Sequence, residues 1–280
     1  MKTLLLALAA AVSASAATVN DHLGLQMYSL RVTTKASGWA AGLDKAKALG
    51  FTNIEGGGLP KGMTGEAYRA AFESRGLKLV SYGFSYDRLT SDIAGAVAEA
   101  RSVGVKYVML AWIPHDKQAF TDDFARKTAA DFNTWGDAFH AAGITFMYHP
   151  HGYEFQPNAD GTTPFEVLMK ATKPEYVSYE MDVFWIVYAG QDPVGLMDKY
   201  PDRWRMMHIK DVRKGAQTGT YTGKAPASDD VAVGTGQVDW PSVLRKANAV
   251  GVEGYFIEDE SDYPDTHLPQ SLAYVWSLGL

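Results

Sequence analysis

The chain has 280 residues, of which 46% are hydrophobic and 21% are charged, and its formal net charge is −6 at pH 7. This composition is typical of a globular protein with a large core, and the acidic balance argues against nucleic acid as a partner, because phosphate binding needs a basic surface. The chain contains no cysteine, which excludes disulfides and thiolate chemistry. Any metal ion must therefore be bound by imidazoles and carboxylates.

Residues 1–16 have the pattern of a cleavable export signal. Lys2 precedes an apolar run from Leu4 to Val12, and small residues follow up to Ala16. The run is too short to span a bilayer permanently, and a buried N-terminal helix is disfavoured because the segment has no polar face. We expect cleavage after Ala16 or Ala17, a periplasmic or secreted protein without stable membrane insertion, and a single domain over residues 17–280.

Eight short β-rich segments alternate with amphipathic helical segments. The predicted strands are Leu23–Tyr28, Phe51–Glu55, Leu77–Tyr82, Lys106–Trp112, Ile144–His149, Val177–Val183, Arg205–Lys210 and Gly254–Glu258. The predicted helices are Ala36–Leu49, Gly65–Arg75, Ser91–Val103, Thr121–Ala142, Phe165–Ala171, Val194–Tyr200, Trp240–Ala249 and Leu268–Leu278. This alternation predicts an α/β fold of parallel strands, and eight units in about 260 residues predict a (β/α)8 TIM barrel.

Glycines and one long segment add detail to this prediction. Five helices are predicted to end at a glycine in the left-handed conformation, namely Gly50, Gly76, Gly104, Gly143 and Gly251. An open doubly wound sheet is the alternative fold, but its Gly-rich phosphate loop is missing after the first strand. The segment Lys214–Gly236 does not have a helical pattern, and we expect a mobile loop over the site.

Ionisable side chains end four successive predicted strands. They are His149, Asp182, His208 and Glu258, with His151, Glu180 and Lys210 one alternation away from the first three. In a barrel the active site is built at the carboxyl ends of the strands. A lone histidine there is more often structural and a lone aspartate often caps a helix, but their joint occurrence favours a site. Mixed imidazole and carboxylate ligands predict one divalent metal ion of the Mn, Zn, Co or Fe class.

Several segments together resemble a known family. They are Gly24–Arg31, Tyr148–Phe155, Met181–Trp185, Ala189–Pro193, His208–Asp211 and Val233–Trp240. In this order they resemble the sugar phosphate isomerase/epimerase family, which has the xylose-isomerase-like TIM barrel, and they span nearly all of residues 17–280. The resemblance implies a divalent metal ion with Asp182, His208 and Glu258 as ligands.

The fifth strand departs from the family pattern. Many relatives have a Glu followed by Asn and His, whereas this chain has His149-Pro150-His151. Two alternatives follow for the remaining ligand: His149 replaces the Glu, or Glu154 reaches back, with His151 as a further candidate. The departure also removes a carboxylate that acts as a base in epimerases of this group, which argues against two-base epimerisation.

Further residues are candidates for catalysis and for substrate binding. The catalytic candidates are Glu258, His149 and Lys210, although Lys210 could instead form a surface ion pair with Asp211. The substrate-binding candidates are Gln26, Tyr28, Glu55, Trp112, His151, Trp185 and Lys210. Some of these have a structural alternative: Gln26 and the tryptophans could fill the core, and Glu55 could cap the turn that follows it.

These features predict a metal-dependent enzyme that moves a proton next to a carbonyl of a carbohydrate. Isomerase, epimerase and keto-sugar lyase are the reactions considered. The export signal favours a non-phosphorylated sugar or keto-glycoside as the small-molecule partner. The alternatives are a metal-dependent hydrolase on the same barrel and a carbohydrate-binding barrel without activity. The oligomeric state, including a homo-oligomer, stays open.

Overall fold

A closed barrel of eight parallel strands is the centre of the computed structural model, which describes residues 18–115 and 120–280. Its strands are β1 (Leu23–Gln26), β2 (Asn53–Gly57), β3 (Lys78–Gly83), β4 (Tyr107–Leu110), β5 (Thr145–Tyr148), β6 (Val177–Asp182), β7 (Trp204–Ile209) and β10 (Gly254–Ile257). They pair around the barrel in the order β1-β10-β7-β6-β5-β4-β3-β2. The predicted (β/α)8 barrel is therefore confirmed. The predicted export signal lies outside the described residues.

Helices surround the barrel, and a small second sheet lies above it. The helices are α1 (Arg31–Ser37), α2 (Trp39–Ala48), α3 (Gly65–Glu73), α4 (Tyr86–Ser91), α5 (Ile93–Val103), α6 (Asp122–His140), α7 (Pro164–Ala171), α8 (Val183–Tyr188), α9 (Pro193–Lys199), α10 (Trp240–Ala249) and α11 (Pro264–Ser277). The strands β8 (Asp211–Val212) and β9 (Asp230–Val231) pair antiparallel. No helix in the described ranges is long and apolar enough to cross a membrane.

Two local predictions are wrong. The single helix predicted over Ala36–Leu49 is two helices, because Gly38 has a φ of 90° and ends α1 before α2 begins. The strand predicted over Val177–Val183 ends at Asp182, because Val183 begins α8, and Trp185 lies in the first turn of that helix. The glycines predicted to follow helices are confirmed as left-handed, since Gly50, Gly76, Gly104, Gly143 and Gly251 all have positive φ.

The barrel interior has an apolar lower part and an ionisable upper part. The apolar part is a cluster of five buried side chains, namely Tyr107, Met109, Met147, Met206 and Phe256. Gly24 makes room for it, since a Cβ there would lie 2.8 Å from the Phe256 ring. Toward the carboxyl ends of the strands the interior is occupied by buried acids and histidines, so the fold places charge where a barrel carries its active site.

Candidate metal centre

The structure brings the four predicted strand-end residues to the same end of the barrel. His149 directly follows β5, Asp182 ends β6 and Glu258 directly follows β10. His208 lies in β7, where it is the register partner of Asp182. All four side chains are at least nine-tenths buried.

Their ligand atoms have the spacing of a metal site. His149 Nε2 lies 3.4 Å from Asp182 Oδ2, which lies 3.8 Å from His208 Nδ1. Glu258 Oε2 lies 3.2 Å from the same His208 nitrogen. Adjacent ligands of a tetrahedral zinc ion are separated by about 3.4 Å, given metal–ligand bonds of about 2.1 Å. His149, Asp182 and His208 form a compact group with ligand atoms within 4.8 Å of one another, and Glu258 adjoins it through His208. These four residues are called the ligand group below.

Two atoms of this group have unmet bonding capacity. Within the described residues, His149 Nε2 and Asp182 Oδ2 are buried and make no hydrogen bond, although they face each other in an ionic contact at 3.4 Å. A buried polar atom without a partner is costly, and a bound cation would supply the missing interaction for both atoms. The other oxygen of Asp182 accepts a hydrogen bond from the Trp185 backbone N–H at 3.2 Å and so caps α8. The donor set therefore fits a divalent metal ion.

A second pair of carboxylates orients the two imidazoles. Glu180 Oε2 lies 3.0 Å from His149 Nδ1, and Glu55 Oε1 lies 2.6 Å from His208 Nε2. Each imidazole thus directs one nitrogen at a carboxylate and the other at the ligand group, which is the usual arrangement of metal-bound histidines. Gln26 supports this by donating from Nε2 to Glu55 Oε1 at 2.7 Å.

Glu55, Glu180 and His208 form another group that could hold a metal ion. The 2.6 Å between His208 Nε2 and Glu55 Oε1 is a hydrogen-bond length, shorter than the separation of about 3.4 Å between ligands of one tetrahedral ion. These residues therefore fit a supporting layer beneath the ligand group. Sequence alternation placed Glu180 beside Asp182 but gave it no role, because its pairing with His149 depends on the neighbouring strand.

Lys210 is a buried cation beside the ligand group. Its Nζ lies 3.3 Å from Glu258 Oε2 and also contacts the Glu260 carboxylate. Burial opposes its charge, but the carboxylates of Glu258 and Asp182 keep the pKa of Lys210 well above its ordinary value. The alternative of a surface ion pair with Asp211 is wrong, since Lys210 is 1% exposed and its partners are the two glutamates.

The carboxylates of the ligand group are held in their charged form. Burial acts to raise the pKa of Asp182, but Lys210 and the two imidazoles lower it well below its usual range. In the same way, burial is outweighed by Lys210 and His208, which lower the pKa of Glu258 to about 2. Burial and His208 act to lower the pKa of His149, yet Asp182 and Glu180 raise it to about 9. Without a metal ion, these charges compensate one another.

His151 and Glu154 occupy different places from the ligand group. The His151 ring centre lies 5.5 Å from that of Trp185 and 5.7 Å from that of Trp112. Its Nδ1 faces the His149 carbonyl oxygen at 3.3 Å, and burial together with the His149 charge lowers the pKa of His151 to about 3. Glu154 Oε1 accepts hydrogen bonds from the Tyr148 hydroxyl and the His151 backbone N–H. Neither residue belongs to the compact ligand group.

A cavity of about 330 Å³ lies at the mouth of the barrel. Its walls include Tyr28, Trp185, Lys210, Asp230 and Glu260, and the turn 223–227 closes one side. The long segment 214–236 therefore lies over the site as expected, whereas its mobility stays a prediction.

Trp112 is 40% exposed and packs against the turn 223–227, since a Cβ on Gly223 would lie 2.9 Å from its ring. Gln26 lines a neighbouring cavity, and Glu55 is fully buried below His208.

Asp230 is a cavity residue that the sequence did not indicate. It lies in β9, within a segment whose composition predicts an irregular loop, and its strand pairing with β8 brings it back to the barrel mouth. The only local signal is the alternation of Asp230, Val231, Ala232 and Val233 before the Gly-Thr-Gly turn.

The model of the xylose isomerase-like TIM barrel family matches residues 43–276. The chain belongs to this family. A solved structure of a sugar phosphate isomerase/epimerase from Parabacteroides distasonis covers 96% of this chain and 98% of its own, with a TM-score of 0.73 and 25% identity. The structure of the IolI protein with a bound zinc atom covers 92% of this chain and 96% of its own, with a TM-score of 0.67 and 14% identity. This likeness shows that the two proteins share the fold. The resemblance inferred from the motifs is confirmed.

Among curated relatives, inosose dehydratases recur. The inosose dehydratase of Lacticaseibacillus casei is 26% identical over 164 residues, which are 53% of this chain and 51% of that protein. The inosose dehydratase of Geobacillus thermodenitrificans is 27% identical over 154 residues, which are again 53% of this chain and 51% of that protein. The chain therefore spans about half the length of the curated relatives it matches.

Proposed function

We propose that this protein is a metal-dependent lyase that eliminates water or an alcohol from the carbon β to the carbonyl of a keto-sugar. The observation that carries the proposal is the buried donor group with two unpartnered ligand atoms, His149 Nε2 and Asp182 Oδ2. The inosose dehydratase relatives favour elimination among the reactions that begin with proton transfer next to a carbonyl. Isomerisation and epimerisation are less well supported, because His149 stands where the second base of the epimerases would be.

In this proposal His149, Asp182, His208 and Glu258 hold the metal ion. Glu180 and Glu55 fix the two imidazoles through their second nitrogens, so they support the site and do not contact substrate. A bound divalent cation would act as a Lewis acid on the carbonyl of the substrate. The donor set allows a metal of the Mn, Zn, Co or Fe class.

Lys210 stabilises the negative charge that develops on the carbonyl oxygen. Its ammonium group is buried at the border between the ligand group and the cavity, where a cation acts strongly on a developing oxyanion. The neighbouring carboxylates keep it protonated, so Lys210 acts as a donor and not as the base.

His151 is a proposed hydrogen-bond acceptor for the substrate, since its pKa of about 3 keeps the ring neutral and makes it too weak a base to take a proton from carbon. With Nδ1–H donating to the His149 carbonyl, Nε2 carries a lone pair that can accept from a sugar hydroxyl. The indoles of Trp185 and Trp112 hold the imidazole on two sides and offer flat surfaces for a sugar ring. Tyr28, which is 54% exposed, lines the cavity and provides a further surface for stacking.

The substrate proposed is a small, non-phosphorylated keto-sugar or keto-glycoside. A volume of about 330 Å³ suits a small molecule. The export pattern of residues 1–16 places this substrate outside the cytoplasm in the proposal, where phosphorylated sugars are not the ordinary metabolites.

Metal analysis combined with proton exchange tests this function. The purified protein is incubated in D₂O with inosose and, separately, with methyl 3-ketoglucoside, and exchange next to the carbonyl and formation of the unsaturated ketone are followed. We expect about one metal ion per chain, exchange and elimination. The double variant His149→Gln, Asp182→Asn should lose the metal and both reactions.

A matched control is His140→Gln, Asp137→Asn, which makes the same changes on the exposed surface of α6 and should behave as the wild type. Full turnover by protein with less than about one tenth of a metal ion per chain would contradict the proposal. Absence of exchange with both ketones in the metal-loaded protein would also contradict it.

A further inference from the structure

Asp230 is a buried acid at the cavity that the proposed reaction has not yet used. It is 3% exposed and lines the cavity together with Lys210, Glu260 and Trp185. Its position is fixed by β9, where it is the register partner of Val212 in β8. The side chain therefore lies at the cavity on a paired strand and not on a free loop.

The two oxygens of Asp230 differ. Oδ2 accepts a hydrogen bond from the Glu260 backbone N–H at 2.6 Å. Oδ1 is buried and has no hydrogen-bond partner among the described residues. An unpartnered carboxylate oxygen in a buried position is unfavourable, whereas a protonated one is a donor that can serve a ligand in the cavity.

The charges around Asp230 also favour its protonated form. Burial raises the pKa of Asp230 well above its usual range, Lys210 acts against this rise, and Asp259 and Glu258 add to it. Lys210 itself is engaged by Glu258 and Glu260, so it does not form an ion pair with Asp230.

Elimination next to a carbonyl needs a proton on the departing oxygen. Hydroxide and alkoxide are poor leaving groups, and a positioned acid contributes about 10²- to 10⁴-fold to such a step. The acids of the ligand group cannot supply this proton, because in the proposed function Asp182 and Glu258 bind the metal ion. The acid must come from another wall of the cavity.

We propose that Asp230 is the general acid that protonates the leaving oxygen, an inference that rests on the proposed lyase function. After the base has removed the proton next to the carbonyl, the electron pair of the resulting enolate forms the new C=C bond. The bond from the β carbon to oxygen then breaks, its electron pair stays on that oxygen, and the Asp230 O–H proton joins it. Water or an alcohol leaves, the base releases its proton to solvent, and the Asp230 carboxylate regains a proton from solvent.

The variant Asp230→Asn separates removal of the proton next to the carbonyl from departure of the leaving oxygen. It keeps the shape of the side chain and an oxygen that can accept from the Glu260 N–H, but it cannot give up a proton. With inosose and with methyl 3-ketoglucoside in D₂O, we expect exchange next to the carbonyl to stay within a few-fold of wild type. Elimination should fall by about 100-fold or more. The metal content should not change.

Asp262→Asn is the matched control, because Asp262 is exposed on the loop after β10 and the substitution makes the same change in charge. Equal losses of exchange and elimination in Asp230→Asn, or no loss of elimination, would overturn the role of Asp230. If the wild type catalyses neither reaction with these ketones, the lyase function itself is wrong. The ratio of elimination to exchange therefore distinguishes the two failures.

Discussion

His208 Nε2 lies 2.6 Å from Glu55 Oε1 in the closed interior of the barrel, while Nδ1 of the same ring faces the ligand group. This contact sets the orientation of the imidazole, and with a metal ion at Nδ1 it would keep the remaining proton on Nε2. Gln26 donates to the same Glu55 oxygen, so β1, β2 and β7 together determine how His208 is presented. Metal binding at the candidate site is therefore expected to depend on Glu55 and Gln26, which support His208 from below.

Replacing Glu55 by Gln should weaken metal binding without removing a ligand. The amide cannot provide the charge that holds His208 in its present orientation, and loss of such a partner costs about 10- to 100-fold in metal affinity. Competition with a chromophoric chelator measures this change. Glu175→Gln, on the exposed surface, should keep wild-type affinity. Unchanged affinity in Glu55→Gln would show that the contact does not orient a ligand.

Metal binding should release protons and strengthen as the pH rises. In the metal-free protein Asp182 and Glu180 outweigh burial and hold the pKa of His149 at about 9, and the pKa of His208 is also raised. Both imidazoles are therefore protonated at pH 7, and a metal ion must displace these protons. Affinity should increase at least about tenfold per pH unit between pH 6 and 8. Chelator competition at several pH values measures the slope, and a flat profile would contradict protonated ligands.

The sequence predicted the barrel and the buried acids and histidines at its strand ends because both depend on local periodicity. Alternation within β6 and β7 placed Asp182 and His208 inward, and chain order placed them on neighbouring strands. The supporting contacts were not predictable in this way, since Glu55 and His208 are 153 residues apart. Asp230 was not predictable for the same reason, because its position depends on the pairing of β9 with β8, which are separated by a long loop. The break at Gly38 was missed because helical residues lie on both sides of it.

Replacing Gly236 by Ala should destabilise the protein and loosen the cavity wall. Asp211 accepts hydrogen bonds from the backbone N–H groups of Gly234 and Gly236 at 2.9 and 3.1 Å. These bonds hold the end of the segment 214–236 against β8. A Cβ on Gly236 would lie 2.2 Å from Asp211 Oδ1 and 2.3 Å from the Val212 carbonyl oxygen. We expect a loss of about 1–3 kcal/mol in the free energy of unfolding by urea.

Gly83→Ala is the control for this experiment. The nearest atom to a Cβ at Gly83, apart from its chain neighbours, would be the Gly56 carbonyl oxygen at 3.6 Å, an ordinary contact. This variant should be as stable as the wild type or more stable by up to about 1 kcal/mol, since alanine restricts the unfolded chain. Equal stability of the Gly83→Ala and Gly236→Ala variants would argue against Asp211 as the anchor.

Replacing Glu154 by Gln should change how stability depends on pH. Burial raises the pKa of Glu154 to about 7 from an ordinary value of 4.5, although the Tyr148 hydroxyl donates to it. Because the folded protein holds the proton more tightly, this group destabilises the fold as the pH rises from 4.5 to 7, by about 3 kcal/mol in total. Glutamine keeps an accepting oxygen and carries no charge.

The free energy of unfolding of Glu154→Gln relative to wild type, measured in urea at pH 5, 6, 7 and 8, should therefore rise through this window and then level off. The exposed variant Glu175→Gln should follow the wild type at each pH, and a Glu154→Gln curve parallel to wild type would show that the buried carboxyl titrates normally.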